Sequence, residues 1–232
     1  MGGKARESGV ASRESRERTF RTRLLRWFRR HGRDLPWRRT RDPYRIVVSE
    51  FMLQQTQVSR VEEYYPRFLA AFPTIRHLAD APPRAVREQW DGLGYYRRAA
   101  NLHALAQSVV DRHQGIIPPD GDSLRSLPGI GRYTAGAVLT FAFELAEPAV
   151  DTNVGRVIRR AFHPRARKDA RGERKVWDTA ARLVPKAGPS AWSFNQAIME
   201  LGALVCTARQ ARCGVCPVRN VCSTGSREGV KT

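Results

Sequence analysis

The chain reads as an all-α protein. Segments of helical periodicity alternate with short Pro- and Gly-containing breaks, strand-like alternation is almost absent, and no internal repeat or long low-complexity tract follows residue 20. With 232 residues and 41% hydrophobic content it has enough apolar material for a core, which excludes global disorder. The first helix carries Leu24, Leu25, Trp27 and Phe28 and ends at His31-Gly32 and the Leu35-Pro36 step. Ser49 is placed to cap a second helix bearing Phe51, Met52, Leu53, Val58 and Val61. Further helices are predicted over Leu69–Phe72, Arg84–Trp90, Arg97–Arg112, Thr134–Phe143, Val154–Phe162, Lys175–Leu183 and Phe194–Val205, each bounded by Pro, Gly, Asn or Asp. The charged loop His163–Arg174 and the stretch Pro118–Asp122 are the expected seams. The first and the late helices are expected to pack together as one of two lobes with a cleft between them.

Charge points to the partner. The chain has 41 Lys+Arg against 22 Asp+Glu, a net +19, which calls for a polyanion. Residues 1–41 hold 14 basic and 4 acidic side chains, so the body is basic as well. Residues 1–19 read as a basic, disordered tail adding non-specific attraction, with a dedicated binding arm as the other possibility. Arginine supplies 36 of the 41 cations, which fits a GC-rich genome or a preference for phosphate forks. The longest apolar stretch, Ala135–Phe143, falls short of the ~18–20 residues a membrane helix needs, and the Arg-rich start has no secretory apolar run. An intracellular monomer of a bacterial cytoplasm or nucleoid is the expectation.

Three motifs carry chemistry. Cys206, Cys213, Cys216 and Cys222 are the only cysteines and form C-x6-C-x2-C-x5-C. In an intracellular chain they suggest metal ligation rather than disulfides. Structural zinc sites usually pair cysteines at short spacing on both sides, whereas one compact loop with a single close pair better suits a 4Fe-4S cubane; both stay open on ligand chemistry alone. The second motif, Leu127-Pro128-Gly129-Ile130-Gly131 before Arg132-Tyr133-Thr134 and the small residues Ala135-Gly136-Ala137, reads as a tight turn delivering a helix N-terminus to a phosphate, or as an ordinary turn between helices. The third is a pair of carboxylates. Glu50 lies in an apolar run, where desolvation would raise its pKa as a general acid requires. Asp151 precedes a helix, whose dipole would favour its ionised form. One such group can protonate a leaving base while the other stabilises a cationic sugar, although an exposed Glu and an N-cap Asp are the blander alternatives.

From residue 20 to 224 the chain resembles the helix-hairpin-helix DNA glycosylase superfamily, and within it the adenine DNA glycosylase (MutY) branch. The stretches LPWR at 35–38, SEFMLQQTQV at 49–58, GLGYYRRAANLH at 92–103, LPGIGRYTAGAV at 127–138, VDTNVGRV at 150–157, FNQAIMELGALVC at 194–206 and the cysteine loop carry the likeness. The resemblance implies a two-lobed helical fold with a C-terminal iron–sulfur cluster loop, one lobe spanning roughly 45–150 and the other 20–44 and 151–224, with 225–232 as a tail. It implies a double-stranded DNA partner containing a mispair or lesion, and a base flipped out and cut from its sugar. By position, Glu50 would protonate the departing purine and Asp151 would stabilise the oxocarbenium ion or form a transient covalent bond before water completes hydrolysis, with Tyr133 and Asn153 supporting them. Gln54, Gln55 and Tyr95 match residues that fill or wedge the stack, and Trp37, Arg38 and Glu200 match the wall of the base pocket, with core packing of one of Tyr95 and Tyr96 as the alternative. Gly129, Gly131, Arg132 and Thr134 would meet the DNA backbone, and the four cysteines would hold a 4Fe-4S cluster.

The pattern also departs from relatives. Endonuclease III and other bifunctional lyases place a Lys nucleophile where this chain has Tyr133, so lyase activity is expected to be weak or absent. Gly155 stands where some relatives have a cation. Full-length members of the branch carry a C-terminal nudix-like domain that reads 8-oxoguanine, whereas ten residues follow Cys222 here. Thymine glycosylases acting on mismatches with G also lack that domain, but Gln54-Gln55 favours adenine. The expectation is therefore a monofunctional glycosylase removing adenine opposite guanine or 8-oxoguanine, with a thymine or uracil glycosylase and a non-catalytic redox-sensing DNA-binding protein as the alternatives.

Overall fold

The computed structural model describes residues 3–226, with side chains from residue 12 onward. Among the described residues the chain is helical and forms no strand beyond an isolated bridge between Cys206 and Ala211. It divides into two compact units, residues 1–33 with 146–232, and residues 34–145.

The unit of residues 34–145 is built on α2 (Pro43–Leu53), α3 (Val58–Ala71), α4 (Ile75–Asp80), α5 (Pro83–Trp90), α6 (Arg97–His113), α7 (Gly121–Ser126) and α8 (Arg132–Phe143). Helix α2 starts at Pro43, where a missing N–H is harmless, and Asp42 caps it by accepting from Arg45 N. Ser49, expected as the cap, is instead buried mid-helix and donates to Ile46 O at 2.8 Å. The expected helix running on through Val61 is broken at Gln54–Gln57 into α2 and α3. Nearly every residue of α2 is buried because it is a central helix, packed on α3, α6 and α8. The small residues Ala135, Gly136 and Ala137 on α8 allow its close approach. Phe68, Trp90, Leu102, Leu105 and Leu124 complete this core.

The other unit comprises α1 (Gly3–His31), α9 (Thr152–Phe162), α10 (Ala170–Leu183), α11 (Gly188–Leu204) and the cysteine segment, with its two 3-10 turns Cys213–Val215 and Arg219–Val221. Its core joins Phe20 and Leu24 of α1 to Ile158, Leu183, Phe194, Ile198 and Leu201. The segment 1–19, expected to be a disordered tail, is helical from Gly3. Glu17 is 6% exposed and accepts from Arg182 Nε at 3.1 Å, while Arg16 lies over the Phe162 ring and donates to Val221 O and Ser223 Oγ at 2.8 Å and to Ala161 O. Partners this distant in sequence supply the ordering that composition does not reveal. Of the expected C-terminal tail, Gly225 and Ser226 fold back on Cys222, and 227–232 lie outside the described residues.

Candidate active site and cysteine centre

Glu50 sits on the buried face of α2 and is 5% exposed. Tyr133, in the first turn of α8, donates its hydroxyl hydrogen bond to Glu50 Oε2 at 2.7 Å. Packing of α2 on α8 thus joins two side chains 83 positions apart and leaves the Glu50 carboxyl buried with a phenol hydroxyl as its donor. The turn before α8 uses its two glycines differently. Gly129 has φ +78, and a Cβ there would lie 2.8 Å from the Phe51 ring, so glycine is required by the protein itself. Gly131 has ordinary φ, and a Cβ added there would meet nothing within 4 Å, so its bareness leaves the α8 N-terminus open to a ligand. Arg132 flanks it on the surface, and Thr134 is buried.

In the same unit, Trp37 is 5% exposed and meets Tyr65 edge-on, next to half-buried Arg38 in the 3-10 turn Pro36–Arg38. Gln54 is half-buried and Gln55 exposed, the latter with φ 57. Tyr95 has φ 49 and is 62% exposed, while Tyr96 is 39% exposed, so neither tyrosine is core. Two left-handed non-glycine residues on exposed turns mark backbone held in place by its surroundings.

Asp151 caps α9, accepting from Val154 N at 2.7 Å and from Asn153 Nδ2 at 3.0 Å. The expected helix-terminus position is found, but the expected direction of titration is not. Burial pushes its carboxyl above the ordinary 3.8, outweighing these bonds and Arg156. Asn153 is itself held, since its Oδ1 accepts from Arg156 Nη2 at 2.6 Å, and Arg156 also donates to Gly202 O and Cys206 O at 2.8 Å. Gly202 is needed there, as a Cβ would come 2.7 Å from Asn153 Cβ. A Cβ at Gly155 would meet Arg159 Nη1 at 3.3 Å. The extended run into Asp151 is fixed by buried Asn195, which bonds Glu147 O and Ala149 N at 3.0 Å. Glu200, 1% exposed, accepts from Arg33 N, Nε and Nη2 at 2.8–3.0 Å.

Cys206, Cys213, Cys216 and Cys222 are all half-buried and line one pocket with Arg160, Arg212 and Arg219. Among the described residues no group of three or more His, Cys, Asp or Glu is placed to hold a single metal ion. Burial pushes the Cys216 thiol up to about 11. Arg160 donates to Cys206 O and Thr207 O and lies 3.4 Å from Cys206 Sγ.

Sequence reasoning misses Arg98, Arg33, Arg156 and Arg160. Arg98 does leave a signal, because it shares the buried face of α6 with Leu102, Leu105 and Val109 at helical spacing.

The model of the HhH-GPD superfamily of base excision DNA repair proteins matches residues 48–182. The chain belongs to this superfamily. It is 47% identical over 196 residues to an adenine DNA glycosylase of Mycolicibacterium smegmatis, covering 84% of this chain and 66% of that one. An adenine DNA glycosylase of Rattus norvegicus is 42% identical over 220 residues, covering 90% of this chain and 42% of that one, so the chain spans less than two thirds of these relatives' length. Among solved structures, a thermostable thymine-DNA glycosylase superposes with a TM-score of 0.85 at 29% identity, covering 92% of this chain and 98% of that one. A trapped endonuclease III–DNA covalent intermediate gives 0.78 at 26% identity, covering 93% and 98%. Among the described residues no helix is long and apolar enough to cross a membrane.

Proposed function

We propose that this chain is a monofunctional DNA glycosylase of base excision repair that hydrolyses the N-glycosidic bond of a flipped adenine opposite guanine or 8-oxoguanine. The observation that carries the reading is the buried Glu50 carboxyl bonded at 2.7 Å by the Tyr133 hydroxyl. Glu50 donates its proton to the departing purine, which leaves as a neutral base, and Tyr133 keeps the carboxyl aligned. The positive charge left on the sugar is met by the Asp151 carboxylate, oriented by Asn153 and Val154 N–H, and water then adds to the anomeric carbon, giving up its proton to the Glu50 carboxylate. Tyr133 stands where a lyase needs an amine, so no Schiff base forms and strand cleavage is weak or absent. Gly129, Gly131, Arg132 and Thr134 present the α8 N-terminus to the backbone, Gln54, Gln55 and Tyr95 enter the stack, and Trp37, Arg38 and Glu200 bound the base. Cys206, Cys213, Cys216 and Cys222 hold a 4Fe-4S cluster that supplies a structural staple to the C-terminal segment. The protein acts as an intracellular monomer on duplex DNA.

A thymine or uracil glycosylase is the second reading, favoured by the superposition on a thymine-DNA glycosylase. Incubation with A·8-oxoG, A·G, T·G and U·G duplexes followed by alkali separates the two. Excision of A supports adenine specificity, excision of T or U without A selects the second reading, and no excision leaves a DNA-binding protein. A robust borohydride-trapped protein–DNA adduct would contradict the monofunctional assignment.

A further inference from the structure

Arg98 is 8% exposed, yet no carboxylate pairs with it among the described residues. Its two terminal nitrogens donate to backbone and hydroxyl oxygens instead, while its buried Nε has no hydrogen-bond partner among the described residues. Nη1 donates to Phe51 O at 3.0 Å, Met52 O at 2.9 Å and Gln54 O, all at the C-terminal end of α2. Nη2 donates to Thr56 Oγ1 at 3.0 Å and to Leu93 O and Gly94 O at 3.2 Å. The last carbonyls of a helix have no partner within it and carry its negative dipole end, so α2 itself supplies the acceptors and the counter-charge. One planar fork therefore ties two exposed turns to each other and to the helix bearing Glu50.

Those turns hold the two left-handed residues assigned to the base stack. Gln55 lies between the Gln54 and Thr56 acceptors, and Tyr95 follows Gly94 and lies with its ring 5.3 Å from the Arg98 guanidinium. A non-glycine residue with positive φ is strained and persists only where its surroundings over-determine it. Trp90, whose ring lies 5.6 Å from the guanidinium, also donates to Gly94 O at 3.1 Å and closes the second turn.

We propose that Arg98 is a positioning residue that locks Gln55 and Tyr95 into one preformed intruding pair and thereby sets how readily the target base leaves the stack. The inference rests on the base-flipping function proposed above. Arg98 touches no reacting atom and acts through the two turns. Lysine keeps the charge but lacks the fork, so it cannot span both turns at once.

The test uses the full-length protein and duplexes with 2-aminopurine beside the mispaired adenine, whose fluorescence rises on unstacking. Wild type, Arg98→Lys and Thr56→Val are compared for fluorescence amplitude, single-turnover excision, thermal unfolding and affinity for undamaged duplex. Arg98→Lys is expected to lose most of the fluorescence rise and to excise roughly 10²-fold more slowly, the scale set by a ~1 Å misplacement, while undamaged-duplex affinity stays within about twofold. Thr56→Val, which removes one acceptor from one turn, should move the same readouts in the same direction by a smaller factor. Unchanged fluorescence and excision in Arg98→Lys would overturn the proposal. If that variant unfolds, unchanged readouts in Thr56→Val overturn it. Failure of wild type to excise adenine refutes adenine specificity alone, because the variant-to-wild-type fluorescence ratio still reads Arg98. Absence of any wild-type fluorescence rise would remove the intruding pair and the proposal with it.

Discussion

Replacing Asn153 by Ala should move the acid limb of the pH–rate profile upward. Asp151 accepts two hydrogen bonds that favour its charged form, from the Val154 N–H at 2.7 Å and the Asn153 amide at 3.0 Å, and burial already drives its carboxyl above 3.8. Removing the Asn153 amide takes away one hydrogen bond to a charged group, about 1.5–3 kcal/mol, or about 1–2 pH units if all of it acts on the ionised state. The carboxylate must be ionised to meet the cationic sugar, so the rising limb shifts to higher pH. Single-turnover excision measured across the pH range under saturating protein gives the limb directly. An unmoved limb would refute the reasoning that Asn153 holds Asp151 in its ionised form. The same shift has a stability consequence. A carboxyl whose folded pKa lies above its unfolded value loses folding stability as pH rises from the unfolded value toward the folded one, and Asn153→Ala widens that window.

Four further outcomes follow from the same contacts. Glu50→Gln should retain affinity for the mispair yet lose about 10²–10⁴-fold in excision rate, checked by gel shift and single-turnover kinetics. Gly202→Ala places a methyl within 2.7 Å of Asn153 Cβ and should slow excision about tenfold or more with intact duplex binding. Phe20→Ala empties a fully buried site where α1 meets the late helices and should cost about 3–5 kcal/mol in urea unfolding. Arg16→Met removes the bonds to Val221 O, Ala161 O and Ser223 Oγ and should speed amide hydrogen exchange in the cysteine segment, measured by mass spectrometry.

Much of this fold is written in local pattern. Helices α5, α6, α8 and α9 lie within two residues of their predicted bounds because Pro, Gly, Asp or Asn punctuates them. Helix α2 departs from its predicted bounds because its run from Ile46 to Met52 is continuously buried and gives little helical periodicity, so the Asp42-Pro43 start carries the clearest signal. Helices α4 and α7 are six residues each, too short for periodicity, and announce themselves only through the caps Thr74 and Asp120. The cysteine spacing and the two carboxylates are visible in the sequence. That Tyr133 reaches Glu50, that Arg16 holds the cysteine segment, and that burial reverses the helix-terminus effect on Asp151 depend on partners far along the chain. Arg98 is hidden for a related reason, since composition counts every arginine as surface charge.

The most direct test of the central claim identifies what leaves the DNA. Mass spectrometry of the small-molecule fraction after incubation with A·8-oxoG and T·G duplexes should find free adenine from the first, with the strand intact until alkali is added, and no adenine when Glu50→Gln is used. Free thymine without adenine, or full adenine release by Glu50→Gln, would contradict it.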